Sequence, residues 1–281
     1  MTDKARSAAL FRASNLRTMD YPFEAALASA LAVCDEAVVV LGQSADDSRD
    51  WVYSLRAEYG RRLIIREQTW QFDRMWQERC WDWGAEMTEA EWLMYADADE
   101  AIEPGTEAAI RGLMADPSVW MIRFPFVHLY GTPRFHAQFP LTHNTRLGRR
   151  SAGYRMRNWC DDAHPNHAVC QMVFGPEERN AHSYQGTEIA ESPGKMLHYG
   201  WCRGARAMSI SQAKHHAWYD NGAGLEDGHI PEVEAWDYHL QAMLTAGRAF
   251  PYSGAHPPAL QGWFDAHEAE WERIEREAGQ C

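Results

Sequence analysis

Asp97-Ala98-Asp99 sets two carboxylates one residue apart, directly after the apolar run Trp92-Leu93-Met94-Tyr95-Ala96. Acids at the end of a buried strand need a counter-charge, because an isolated ionised carboxylate beside an apolar core is costly. A hard divalent cation supplies that charge and keeps coordination positions free for phosphate oxygens and water. Such an ion suits a reaction whose leaving group is a diphosphate, since negative charge grows there as the bond breaks. The plainer reading is an acidic strand-end loop that caps the following helix. A second acidic loop, Gly42 to Ser48, follows another apolar run. Within it Asp46 is assigned to a nucleotide, as acceptor for a base imide or ribose hydroxyls, and Asp47 or Ser48 to capping the next helix.

The elements that must hold these loops can be read from the pattern. Ala8 to Ala13 reads as a short strand, and Pro22 opens a helix with Ala25, Leu27, Ala28 and Leu31 at helical spacing. Glu36 to Leu41 is a continuous apolar, β-branched run, the mark of a strand buried on both faces. Helices are expected over 49–59 and 73–87, and strands over 61–66 and 92–96. Strands alternating with helices imply a mostly parallel sheet covered on both sides, with ligands beyond the C-terminal strand ends. Both acidic loops fall at such ends.

The later sequence is less regular. It predicts strands over 120–129, 146–157 and 196–199, loops over 131–143 and 158–167, and helices over 205–218, 233–246 and 261–278. Residues 1–118 form the nucleotide-binding α/β half in this reading. Residues 119–281 form the acceptor-binding and C-terminal helical half of the same domain.

Composition narrows the classes. With 40 acidic against 27 basic residues the net charge is −13, which repels a phosphate backbone at long range. The local exception is a run of arginines from Arg134 to Arg157. Thirteen tryptophans are more often core fillers than stacking platforms. The six cysteines show neither a CxxC pair nor zinc spacing, which fits free thiols. No transmembrane run or signal-peptide pattern is visible, so a cytoplasmic location is expected.

Taken in order, the motifs resemble the GT-A glycosyltransferases, specifically the family-2-like transferases of bacteria, archaea and phages. The resemblance runs from YPFEAALASALAVCDEAVVVLGQSADDS through WLMYADADEAIEPG and FPFVHLYGTPRF to MLHYGWCRGARAMSISQAKHH and FPYSGAHPPAL. It implies an α/β fold of GT-A type, Rossmann-related, with a mostly parallel central sheet flanked by helices and a helical C-terminal part. It also implies a nucleotide-sugar donor, a UDP-sugar foremost, with Mn2+ or Mg2+. By position it assigns Asp46 to the nucleotide, Asp99 to the metal with Asp97 beside it, and His198 to the metal or diphosphate. Arg203 and Lys214 become diphosphate clamps, since both carry positive charge. For His198 the plainer alternative is a satisfied core histidine; for Arg203 and Lys214 it is a solvated helix face. His256, before Pro257, is a weaker candidate that otherwise shapes a turn.

An inverting transferase needs a base for the acceptor hydroxyl. The loop RNWCDDAHPNH contains a "DA" element similar to that of the family, and Asp162 is chosen there over Asp161, Glu188 and Glu191. The acceptor is a glycan, a lipid-linked sugar or a small molecule in the leading reading. A second reading is a phage-type transferase acting on hydroxymethylated bases of DNA, supported by the arginines and tryptophans. A third is a non-catalytic nucleotide- or carbohydrate-binding protein on the same scaffold. A phosphatase or nuclease would leave HYGWCR and GAHP unexplained.

Overall fold

Alternation along the first strands explains how the sheet is covered. In β1 (Ser7–Ala13), Ala9, Phe11 and Ala13 join one apolar cluster, while Ala8 and Leu10 join another on the opposite face. β2 (Glu36–Leu41) and β4 (Trp92–Ala96) divide in the same way, with Val39 and Met94 on the first face and Val38 and Tyr95 on the second. Strands apolar on both sides must be sandwiched. Helix α1 (Phe23–Val33) contributes to the first face, and α4 (Trp76–Glu86) contributes Trp81 to the second. Between β2 and β3 (Leu63–Glu67) lie the short helices α2 (Ser48–Ser54) and α3 (Arg56–Tyr59).

The computed structural model describes all residues except 1–5, 71–75, 140–141, 161–167, 176–178, 181–185, 222–238 and 280–281. Pairing runs β3-β2-β1-β4 in parallel, the expected arrangement. After β5 (Glu100–Ile102) and α5 (Glu107–Ala115) the character changes. β6 (Met121–Tyr130), β7 (Thr132–Ala137) and β8 (His143–Arg149) pair antiparallel, and β8 joins them to β4. A separate antiparallel sheet holds β9 (Arg155–Cys160), β10 (Ala168–Phe174) and β11 (Arg179–Asn180). β12 (Ile189–Glu191) and β13 (Met196–Trp201) both run parallel to β6, and β13 also pairs antiparallel with β5. The chain ends with α6 (Ala205–Asn221), α7 (Leu240–Thr245), β14 (Ala249–Pro251) and the C-terminal helix α8 (Gln261–Glu277). No helix among the described residues is long and apolar enough to cross a membrane.

Two expectations are corrected. The segment 131–143, read as a loop, contains β7, because Phe135 and Ala137 enter an apolar cluster with α7 and α8. The single basic strand expected over 146–157 is two strands broken by a turn at Gly153, which takes a positive φ of 70°.

A half-buried latch ties the C-terminal helix to the first half. Asp20, itself at a positive φ of 53°, accepts from Gly204 N at 2.7 Å and from Trp263 Nε1 at 3.0 Å. His267 Nε2 lies 2.7 Å from Asp20 Oδ2, and its Nδ1 lies 2.7 Å from the Trp263 carbonyl. Both ring nitrogens face oxygen acceptors, an arrangement that favours the doubly protonated ring. Burial alone would lower its pKa, but the Asp20 carboxylate overrides that and raises it. Stability from this pair is full below the unfolded histidine's pKa of about 6.5 and is lost as pH rises through the higher folded value. Melting curves from pH 5 to 9 should therefore show wild type above His267→Gln at acid pH. The gap should close as pH rises; a gap that widens would contradict the charged latch.

Candidate functional site

Parallel pairing of β1 with β4 aligns Phe11 with Ala96, so the next residues, Arg12 and Asp97, emerge side by side at the strand ends. Arg12 Nη2 donates to Asp97 Oδ1 at 2.7 Å, and its guanidinium lies 5.1 and 4.7 Å from the Trp76 and Trp81 rings of α4. Arg146, on β8, donates from Nη2 to Asp97 Oδ2 at 3.2 Å and also to Glu100 Oε1. Burial would raise the Asp97 pKa, yet the two guanidiniums hold it at about 2. This corrects the electrostatic expectation: the counter-charge for Asp97 is built into the protein. Glu100 is buried against Arg146, and burial together with Asp97 and Asp99 pushes its carboxyl up to about 8 against the pull of that arginine.

Asp99 faces elsewhere. Its carbonyl accepts from Tyr199 N at 2.8 Å, which docks the acidic loop against β13. Its Oδ2 lies 3.8 Å from Nε2 of His198. Burial lowers the His198 pKa to about 4, so the imidazole is neutral near pH 7 and has a lone pair to offer. Gly200, two residues on, keeps the space beside the pair open. A Cβ there would sit 2.5 Å from His198 Nε2 and 2.9 Å from Asp99 Oδ2. The β13–β6 register also shifts between His198 and Trp201, as is common where a glycine bulge re-aims side chains.

These donors fit a hard dication. The 3.8 Å separation is less than twice a metal–ligand distance of about 2.1 Å, so a single ion can touch both atoms. Among the described residues no group of three or more His, Cys, Asp or Glu could hold a metal by itself. An ion here would take its remaining ligands from phosphate and water, the usual habit of Mg2+ beside one or two carboxylates.

The loop after β2 is laced to the loop after β1, and Asp46 is one of the laces. Its Oδ2 accepts from Thr18 N at 2.7 Å and its Oδ1 from Ser48 N at 3.0 Å. Burial works to raise its pKa, but these hydrogen bonds lower it. Asn15 Oδ1 accepts from Ala45 N at 2.7 Å, and Ser48 Oγ accepts from Arg17 N at 3.1 Å. Only the capping expectation is corrected, since no side chain caps α2. Asp46 uses both oxygens to organise the loop, whereas Asp47 is exposed and makes no side-chain cap.

Arg203, assigned by resemblance to the diphosphate, does not lie on a solvated helix face. It is buried, with Nε donating to the Gly200 carbonyl at 3.1 Å and Nη1 to that of Met19 at 2.7 Å. Its guanidinium lies 4.5 Å from the Tyr21 ring. Arg203 thus holds the Gly200 bulge against the segment before α1. Lys214 sits on α6, with its side chain outside the described residues, as is Asp162 altogether. His256 lies 2.8 Å, through Nδ1, from the Tyr199 hydroxyl.

The arginines of the 134–157 run that the structure describes with partners are largely committed to other groups of the protein, Arg134 at the surface and Arg146 buried. Arg134 pairs with Glu268 and Glu275, and Arg146 with Asp97 and Glu100. Arg149 donates to the carbonyls of Val119 and Asp116, and Arg150 to those of Ala85, Thr88 and Ala90. Sequence reasoning missed Arg12, Glu100 and His128 as parts of the site. An arginine next to the end of an otherwise apolar strand was the available signal for the first.

No protein-family model matches the chain, and no curated protein matches it. Solved structures do. The mannosyltransferase PcManGT from Pyrobaculum calidifontis, in complex with GDP-Man and Mn2+, is 16% identical, with a TM-score of 0.42 over 99% of this chain and 72% of that one. S. aureus TarS 1-349 is 15% identical, with a TM-score of 0.41 over 69% of this chain and 60% of that one. S. aureus TarS is 17% identical, with a TM-score of 0.39 over 54% of this chain, which spans only 30% of TarS. At these identities and scores the likeness brings no chemistry from those proteins to this chain.

Proposed function

We propose that this chain is a metal-dependent glycosyltransferase that moves a sugar from a nucleotide-sugar, a UDP-sugar foremost, to an acceptor hydroxyl with inversion. The observation that supports it is the Asp99–His198 pair, 3.8 Å apart where the loop after β4 meets β13 and kept open by Gly200. When bound, Mn2+ or Mg2+ offsets the charge that grows on the diphosphate as the bond to the sugar breaks. Asp99 and neutral His198 hold the ion. Asp97, fixed by Arg12 and Arg146, keeps the strand-end loop rigid so that Asp99 is pre-positioned. The loop organised by Asp46 receives the nucleotide, and Lys214 is the remaining candidate for the diphosphate. As the acceptor oxygen bonds to the anomeric carbon, the bond from that carbon to the diphosphate breaks, and the acceptor proton passes to a base, assigned to Asp162.

Incubation with a panel of UDP- and GDP-sugars, with Mn2+ or with chelator, tests this reading. Slow release of nucleoside diphosphate, selective for one donor and abolished by chelator, is expected even without an acceptor. Release at the same rate with chelator, or none from any donor, would count against it.

A further inference from the structure

His198 is braced by a second histidine. Its Nδ1 lies 3.0 Å from Nδ1 of His128, the residue directly across where β13 runs parallel to β6. The rings meet nearly edge to face, with centres 5.1 Å apart and planes at 81°. Phe139 packs against His128 at 4.9 Å and stacks on Trp201 at the end of β13. The imidazole pair is therefore held by strand register and by an aromatic neighbour, and His128 is only 9% exposed.

Two ring nitrogens hold a 3.0 Å contact when one carries a proton and the other presents a lone pair. Two N–H groups, or two lone pairs, would repel. The other nitrogen of His198, Nε2, is the atom that faces Asp99. To receive a cation there it must be bare, and in a neutral ring the proton then sits on Nδ1.

We infer that His128 is a positioning residue that accepts the Nδ1 proton of His198, fixes that tautomer, and so leaves the Nε2 lone pair of His198 turned toward Asp99. His128 then carries its own proton on Nε2. The purpose given to this arrangement rests on the cation reading of Asp99 and His198; the inference places the same tautomer in the protein with no ion bound. A second consequence is geometric: the bond stops the His198 ring from rotating about χ2, so the gap to Asp99 keeps its width.

Two substitutions separate acceptor from bulk. His128→Asn sets an amide oxygen the same number of bonds from Cα as Nδ1, so it can still accept. His128→Phe keeps the ring and removes the acceptor. Long-range 15N–1H spectra of the ion-free protein report which ring nitrogen is protonated, and signals lost in His198→Gln identify His198. Wild type and His128→Asn should show His198 protonated on Nδ1, whereas His128→Phe should move the proton toward Nε2. In parallel, Mn2+ alone is titrated and the free ion is followed by electron paramagnetic resonance. His128→Phe should bind Mn2+ about 10- to 100-fold more weakly, the usual effect of removing a histidine's outer partner, with His128→Asn close to wild type. A wild-type His198 protonated on Nε2 overturns the inference, whether or not the phenylalanine variant folds. So does Mn2+ binding by a folded His128→Phe as tight as wild type. Nδ1 protonation with no Mn2+ binding in any form would uphold the tautomer assignment and remove the cation reading instead.

Discussion

Arg146→Met should lower folding stability by about 3–5 kcal/mol, the cost of breaking a buried ion pair by removing one partner. The side chain is 9% exposed and its Nη2 serves both Asp97 and Glu100. Methionine fills much of the same volume but leaves Asp97 with Arg12 alone and deprives buried Glu100 of the cation that pulls its pKa down. For a chain of this size the fall in Tm should be on the order of 6–20 °C. Adding Glu100→Gln removes the acid left stranded, so the double variant should recover part of the loss. That non-additivity is expected of residues in one network. Equal melting of Arg146→Met and wild type would show that Arg146 compensates nothing, and the assignment of Asp97's counter-charge would fall with it.

Gly200→Ala should separate stability from function. Gly200 has no positive φ, so its backbone accepts a side chain without strain. The clash falls on side-chain ends, His198 Nε2 at 2.5 Å and Asp99 Oδ2 at 2.9 Å. The contacts are with side chains and not with backbone, so the variant should fold with a modest fall in Tm. Those side chains cannot move without spoiling the pair, because His198 is braced by His128 and Asp99 is docked through its carbonyl to Tyr199 N. Mn2+ affinity and Mn2+-dependent turnover should fall by about 10- to 100-fold, in the range seen when ligand orientation is disturbed. Unchanged Mn2+ dependence in Gly200→Ala would mean that the ion, if used, sits somewhere else.

Much of the parallel half was legible from local pattern. Short apolar runs such as EAVVVL and WLMYA, between turn residues, read as strands buried on both faces, and the acidic loops fall at their ends. The antiparallel half was not. β5 is three residues long and β7 contains a proline and a charged residue, so their strand character comes from partners distant in sequence. The site shows the same limit. DxD names two acids but not what faces each. Asp97 found its counter-ions on β1 and β8, and Asp99 found its partner on β13, through register that composition does not carry. Asp46 shows what else pattern does not carry. A carboxylate in a loop looks free for a ligand until the backbone N–H groups of the neighbouring loop are accounted for.

The most direct measurement is a thermal-shift comparison of wild type and Asp99→Ala with nucleoside diphosphates, each with and without Mn2+. Ligands that bind only the folded state raise Tm, by about 2.7 kcal/mol of stability at a hundredfold excess over Kd. Wild type should respond strongly to one diphosphate only when Mn2+ is present, and Asp99→Ala should melt normally without ligand and show no such response. A wild-type-like shift in Asp99→Ala, or a diphosphate shift in wild type that ignores Mn2+, would contradict the proposed cation site.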